Sequence, residues 1–192
     1  MLHTLRVRGF VTSDGFKESL GACPSDLLAE LVAAGQVRYI EKRDMYGLLP
    51  PGKERQEALM DEYADADVQA GLKEHYEHFL EQNEVFKQLC TDWQMRGGAQ
   101  NDHTDAAYDA DCVARLLQLN EASRPTIAGF ASALARMARY TPRLDESAAR
   151  VVGGDTKAFT GVMCGSFHDV WMELHEDLIV LQRINRVEEG SF

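Results

Sequence analysis

The spacing of apolar residues switches once along this chain and then switches back, which confines any sheet to one short segment. From Ser13 to Val32 the apolar positions recur every three or four residues: Phe16 and Leu20, then Leu27, Leu28, Leu31 and Val32. That is the period of helices with one buried stripe. Val37–Glu41 (VRYIE) then alternates, and Met45–Leu49 (MYGLL) repeats the alternation beyond Lys42-Arg43-Asp44. A period of two on both sides of a short polar link predicts a β-hairpin. From Lys53 onward the helical period returns and persists. The expected class is mainly α with a small β-hairpin.

The punctuation residues divide this pattern into elements. Leu2, Leu5, Val7 and Phe10 predict a first helix over Leu2–Phe10. Thr12 or Ser13 caps a second, Ser13–Leu20, and Gly21 ends it. Pro24 and Ser25 open a third, which stops at Gly35. Pro50-Pro51-Gly52 closes the second strand, and Lys53–Tyr63 resumes as helix. Further helices are expected over Asp67–Cys90, from Tyr108 through Leu119, over the small-residue-rich Ile127–Tyr140 up to Pro142, over Leu144–Val152, and over Ser166–Asn185. Arg96–Gln100 reads as a loop, and Asn101–Asp105 as the source of a cap. Residues 1–64 are expected to form one domain, and residues 65–192 a bundle of four or five helices.

Charge follows the same division. Residues 1–60 carry eight basic and eight acidic side chains, whereas 61–192 carry twelve and twenty-three. The second segment therefore holds the whole formal net charge of −11. An acidic surface repels polyanions, so any contact with nucleic acid is expected from the first segment alone. The four cysteines are scattered and include no C-x-x-C pair, as expected of free thiols in a reducing compartment. No apolar run reaches bilayer length, and the first residues carry charges where a secretory signal needs an apolar core. The expectation is a cytoplasmic chain with no membrane partner.

Three short helices, a hairpin and a return helix resemble the winged helix-turn-helix domain of MarR-type transcription regulators. The resemblance rests on Leu27–Ala34, on Gly35-Gln36-Val37 leading into the hairpin, and on Gly47–Met60 (GLLPPGKERQEALM). It covers about the first third of the chain. It implies that Pro24–Ala34 enters the major groove of double-stranded DNA and that the wing tip Lys42-Arg43 lies against phosphates. It places Ser25, Arg38, Lys42 and Arg43 at the DNA, helped by Arg6, Arg8 or Lys17; because one weakly basic winged helix makes too few contacts and two-fold operators reward a two-fold protein, a homodimer is expected. The polar face of the third helix is Ser25, Asp26, Ala29, Glu30 and Ala33, with no Arg, Lys, Asn or Gln to read a base edge. An alternative therefore stays open: a winged helix turned to docking a protein partner, without DNA.

In the second segment two polar clusters are candidates for a pocket that takes a small-molecule effector. One combines Asp92 and Trp93 with Asp102 and His103. The other is His168, Trp171 and His175, which with Met172 share one helical face. Asp92 or Asp102 is expected to orient a histidine. His168 and His175 stand two turns apart, too far for one ion, so no metal and no cofactor is expected. The chain lacks a P-loop, a dinucleotide glycine fingerprint, a nucleophile elbow and an H-E-x-x-H motif, so no enzyme activity is expected.

Overall fold

A computed structural model describes residues 1–185, so positions 186–192 of the expected second domain lie outside the described residues. The protein is mainly α-helical, with a small three-stranded antiparallel sheet. It divides into two compact units. Among the described residues, one comprises Met1–Ala66 with Ile179–Asn185, and the other Asp67–Leu178. Among the described residues no helix is long and apolar enough to cross a membrane.

The first unit runs α1 (Leu2–Arg8), β1 (Phe10–Thr12), α2 (Ser13–Leu20), α3 (Ser25–Ala33), β2 (Val37–Ile40), β3 (Met45–Leu48) and α4 (Pro50–Tyr63). The sheet order is β1-β3-β2, with Phe10 opposite Gly47 and Val37 opposite Leu48. The Thr12 hydroxyl accepts the Gly15 N–H at 3.0 Å and starts α2, and Gly21 ends it at a φ of +80°. Leu5, Val11, Phe16, Leu28, Leu31 and Val37 form the core. Fully burying a side chain such as Phe16 contributes about 1.5–3 kcal/mol.

Three expectations need correction here. Phe10 belongs to β1 and not to the first helix, because three residues paired with a strand far along the chain carry no local period. Pro50 and Pro51 begin α4, where a missing N–H costs nothing, instead of closing the strand. Of the expected stripe of α3, only Leu28 and Leu31 are buried; Leu27 and Val32 are 45% and 36% exposed. Asp44 ends the hairpin turn in a left-handed conformation, and its carboxylate accepts Ser13 Oγ at 2.9 Å and Tyr39 OH at 3.1 Å.

The second unit is built on two long helices, α5 (Ala66–Gln94) and α6 (Ala106–Ala133), joined by a two-stranded ribbon. The ribbon pairs β4 (Met95–Arg96) with β5 (Ala99–Gln100) in place of the expected loop. Gly97 and Gly98 both have positive φ, at +59° and +84°, as a tight two-residue hairpin turn requires. Helix α6 passes straight through Pro125 instead of restarting after it. The carbonyl that this proline leaves without a donor is that of Glu121, an exposed residue open to water. A 3₁₀ segment, Ala135–Arg139, leads into α7 (Tyr140–Val152), with Pro142 in the first turn of α7 rather than at the end of a helix. Then come α8 (Lys157–Thr160) and α9 (Phe167–Gln182), the latter entered through Ser166 and a loop whose N–H groups converge on Asp169. Phe79, Phe86, Phe130, Phe159, Phe167 and Trp171 are buried and supply the core. All four cysteines are free thiols, with Cys112 buried and Cys164 exposed.

Candidate functional site

Helix α3 holds itself to the first unit by Leu28 and Leu31 and turns its remaining face outward. That face carries Ser25, Asp26, Leu27, Ala29, Glu30 and Val32, all exposed. Ser25 Oγ lies 3.7 Å from the Cys23 sulfur. Lys42 and Arg43 are exposed in the turn between β2 and β3, and the Asp44 contacts to Ser13 and Tyr39 fix that turn against the start of α2. The Ser13 hydrogen bond holds the Asp44 carboxyl below the usual carboxylate range. Arg38, exposed on the sheet, stacks 4.9 Å from the centre of the Phe10 ring. Arg8 is engaged internally: it donates to Gly15 O at 3.1 Å and to Ser19 Oγ at 2.8 Å, tying α1 to α2. Arg6 lines a hollow of about 450 Å³ with Gln56, Asp61 and Arg183.

In the second unit the two expected clusters part company. Trp93, His103 and their neighbour Asn101 line a cleft of about 480 Å³ together with Thr156, Lys157 and Thr160. The Trp93 ring stacks on Phe159, and His103 lies over it, each centroid 4.5 Å away. Buried Asn101 donates to Trp93 O at 3.0 Å and to Asp109 Oδ1 at 3.1 Å. The carboxylate beside His103 is Asp109, at 2.9 Å from Nδ1. It comes from the first turns of α6 and replaces the expected Asp92 or Asp102. Asp92 faces Arg115 at 2.6 Å instead, and Asp102 is exposed and bonds Thr104. His103 adopts a φ of +58°, in the left-handed region that His enters more readily than most residues.

His168, Trp171 and His175 do not line this cleft. Trp171 is core: its Nε1 donates to Asn83 at 3.0 Å, and its ring packs on Phe79, Phe86 and Phe167. His175 is 2% exposed, with Nε2 at 3.4 Å from Tyr76 OH. His168 is half-buried, burial lowers its pKa, and its buried Nδ1 has no hydrogen-bond partner among the described residues. Nor do three His, Cys, Asp or Glu residues converge on a metal position among the described residues.

Sequence reasoning missed a charged cluster beneath the 3₁₀ segment. Fully buried Asp177 accepts two bonds from Arg136, at 2.6 and 2.7 Å, one from Arg139 at 3.2 Å and one from Tyr140 OH at 2.6 Å. Arg143 meets Glu173 at 2.9 and 2.6 Å. The signal was present as complementary stripes, Arg136, Arg139 and Arg143 against Glu173 and Asp177, each at three-to-four spacing. Burial works against the charge of Arg139, but Tyr140 and Asp177 outweigh it and raise its pKa. Burial, then Asp177, pushes the Tyr140 hydroxyl far above the ordinary tyrosine range. Within the cluster, buried Arg139 Nε has no hydrogen-bond partner among the described residues. Comparison with protein-family models, curated proteins and solved structures finds no match.

Proposed function

We propose that the first unit is a winged helix-turn-helix and that the protein is a dimeric DNA-binding transcription regulator, with the second unit serving as its effector-sensing or dimerisation part. The observation that carries this is the element order α1-β1-α2-α3-β2-β3 on a β1-β3-β2 sheet, with a basic, internally fixed turn at Lys42-Arg43. In such a unit α3 enters the major groove and the turn reaches the flanking phosphates. Arg38, Lys42 and Arg43 are exposed and provide phosphate contacts, and Ser25 opens the helix that faces the bases. Arg8, held by Gly15 and Ser19, supports the scaffold instead. Three cations per chain bind DNA weakly, and a two-fold dimer doubles them.

The test is charge reversal at the turn. Lys42→Glu with Arg43→Glu is expected to abolish DNA binding while leaving the circular dichroism spectrum unchanged. Full affinity in that variant removes the turn from the interface.

A second reading has its own observation. The outward face of α3 combines exposed Leu27 and Val32 with Asp26 and Glu30, a composition suited to a basic, partly apolar protein surface. On that reading the unit docks a protein and not DNA. Asp26→Lys with Glu30→Lys separates the two, because it strengthens DNA binding on the first reading and abolishes partner capture on the second.

A further inference from the structure

The cleft beside Trp93 differs in charge from the segment around it. Residues 61–192 hold twenty-three acidic side chains, yet none of the residues lining the cleft is Asp or Glu, and Lys157 is among them. The carboxylate bonded to His103 is already occupied, with one Asp109 oxygen on Asn101 and the other on His103. Thr156 and Thr160, near Lys157 in sequence, also line it. The aromatic ring open to the cleft is His103; Trp93, 4% exposed, packs between His103 and Phe159 and backs it. A volume of about 480 Å³ lies in the ordinary range for small-molecule sites.

We propose that this cleft binds a small aromatic monocarboxylate, its ring against His103, which Trp93 backs, and its carboxylate on Lys157 and the threonine hydroxyls. One ammonium matches one negative charge. No guanidinium lines the cleft to grip a phosphate by its two-pronged fork. The exposed His103 ring favours a planar body over an aliphatic chain. The site stands whether or not the first unit binds DNA, since it lies wholly within the second unit.

The chain carries its own reporter, because its two tryptophans give two indole N–H signals in heteronuclear NMR. Both are buried, but Trp93 borders the cleft and packs on His103, whereas Trp171 does not line it. Trp171→Phe assigns the signals, and Trp93→Phe does so if the first variant fails to fold. Titration of the full chain with benzoate is expected to move the Trp93 signal saturably and leave that of Trp171 in place. Benzamide, equal in shape but neutral, is expected to bind at least about threefold more weakly, and Lys157→Gln to weaken benzoate by a similar factor without changing benzamide. The proposal is overturned if benzoate moves neither signal up to its solubility limit, if both signals move together, or if benzoate and benzamide bind equally.

Discussion

Removing the Asp177 carboxylate, as in Asp177→Ala, leaves three donors facing a void. Breaking a buried ion pair from one side costs about 3–5 kcal/mol, chiefly because the remaining charge is stranded. The surroundings place this case at the lower end. Arg136 is 27% exposed and turns to water, and Arg139 keeps Glu173 at 3.8 Å. Tyr140, fully buried, loses the acceptor of its hydroxyl, which by itself costs about 1–3 kcal/mol. A total near 3 kcal/mol follows, roughly a hundredfold in the folding equilibrium. Both tryptophans lie in the second unit, so tryptophan fluorescence during urea unfolding reports on that unit. At a slope of about 2 kcal/mol per molar urea, the midpoint falls by about 1.5 M. Asp155→Ala, which breaks the exposed Arg150 pair, is the control and leaves the midpoint in place. A loss below about 1 kcal/mol for Asp177→Ala refutes the reasoning, since the carboxylate then behaves like an exposed one.

Two further outcomes are expected. Burial lowers the His168 pKa below its ordinary 6.5, so the unfolded chain binds that proton more tightly. The associated stability is therefore complete above pH 6.5 and declines as the pH falls below it; His168→Leu reduces this slope in urea titrations across that range. In the first unit, a Cβ on Gly52 meets the Gln36 carbonyl oxygen at 2.1 Å, a backbone atom that cannot step aside. Gly52→Ala is expected to cost about 1–3 kcal/mol, measured by circular dichroism during thermal unfolding.

What was legible in the sequence was what short-range spacing encodes. The α2 cap at Thr12, its end at Gly21 and the alternation of the hairpin follow from residues within one or two turns of each other. Strand β1 was not legible, because its three residues pair with a strand some 35 positions away, Phe10 opposite Gly47. Proline misled twice for one reason: Pro50 and Pro142 stand in first turns, where no backbone donor is needed, and a rule that treats proline as a terminator misplaces both. The cleft was half legible. Trp93 and His103 were identifiable as a polar-aromatic pair, but Lys157 and Thr160 join them only because α8 packs there. His168, Trp171 and His175 share a helical face as expected, yet a shared face does not distinguish a pocket from a core. Here Trp171 and His175 are buried against Asn83 and Tyr76.

Fluorescence anisotropy of the purified protein with DNA fragments from its own upstream region, against scrambled competitor, tests the central claim most directly. Six cationic contacts, from Arg38, Lys42 and Arg43 of two chains, give a slope of log affinity against log salt of about −5. The account predicts saturable binding with that slope, surviving scrambled competitor at near-physiological salt. Absence of binding, or binding that salt and competitor erase together, contradicts it and leaves α3 as a protein-docking surface.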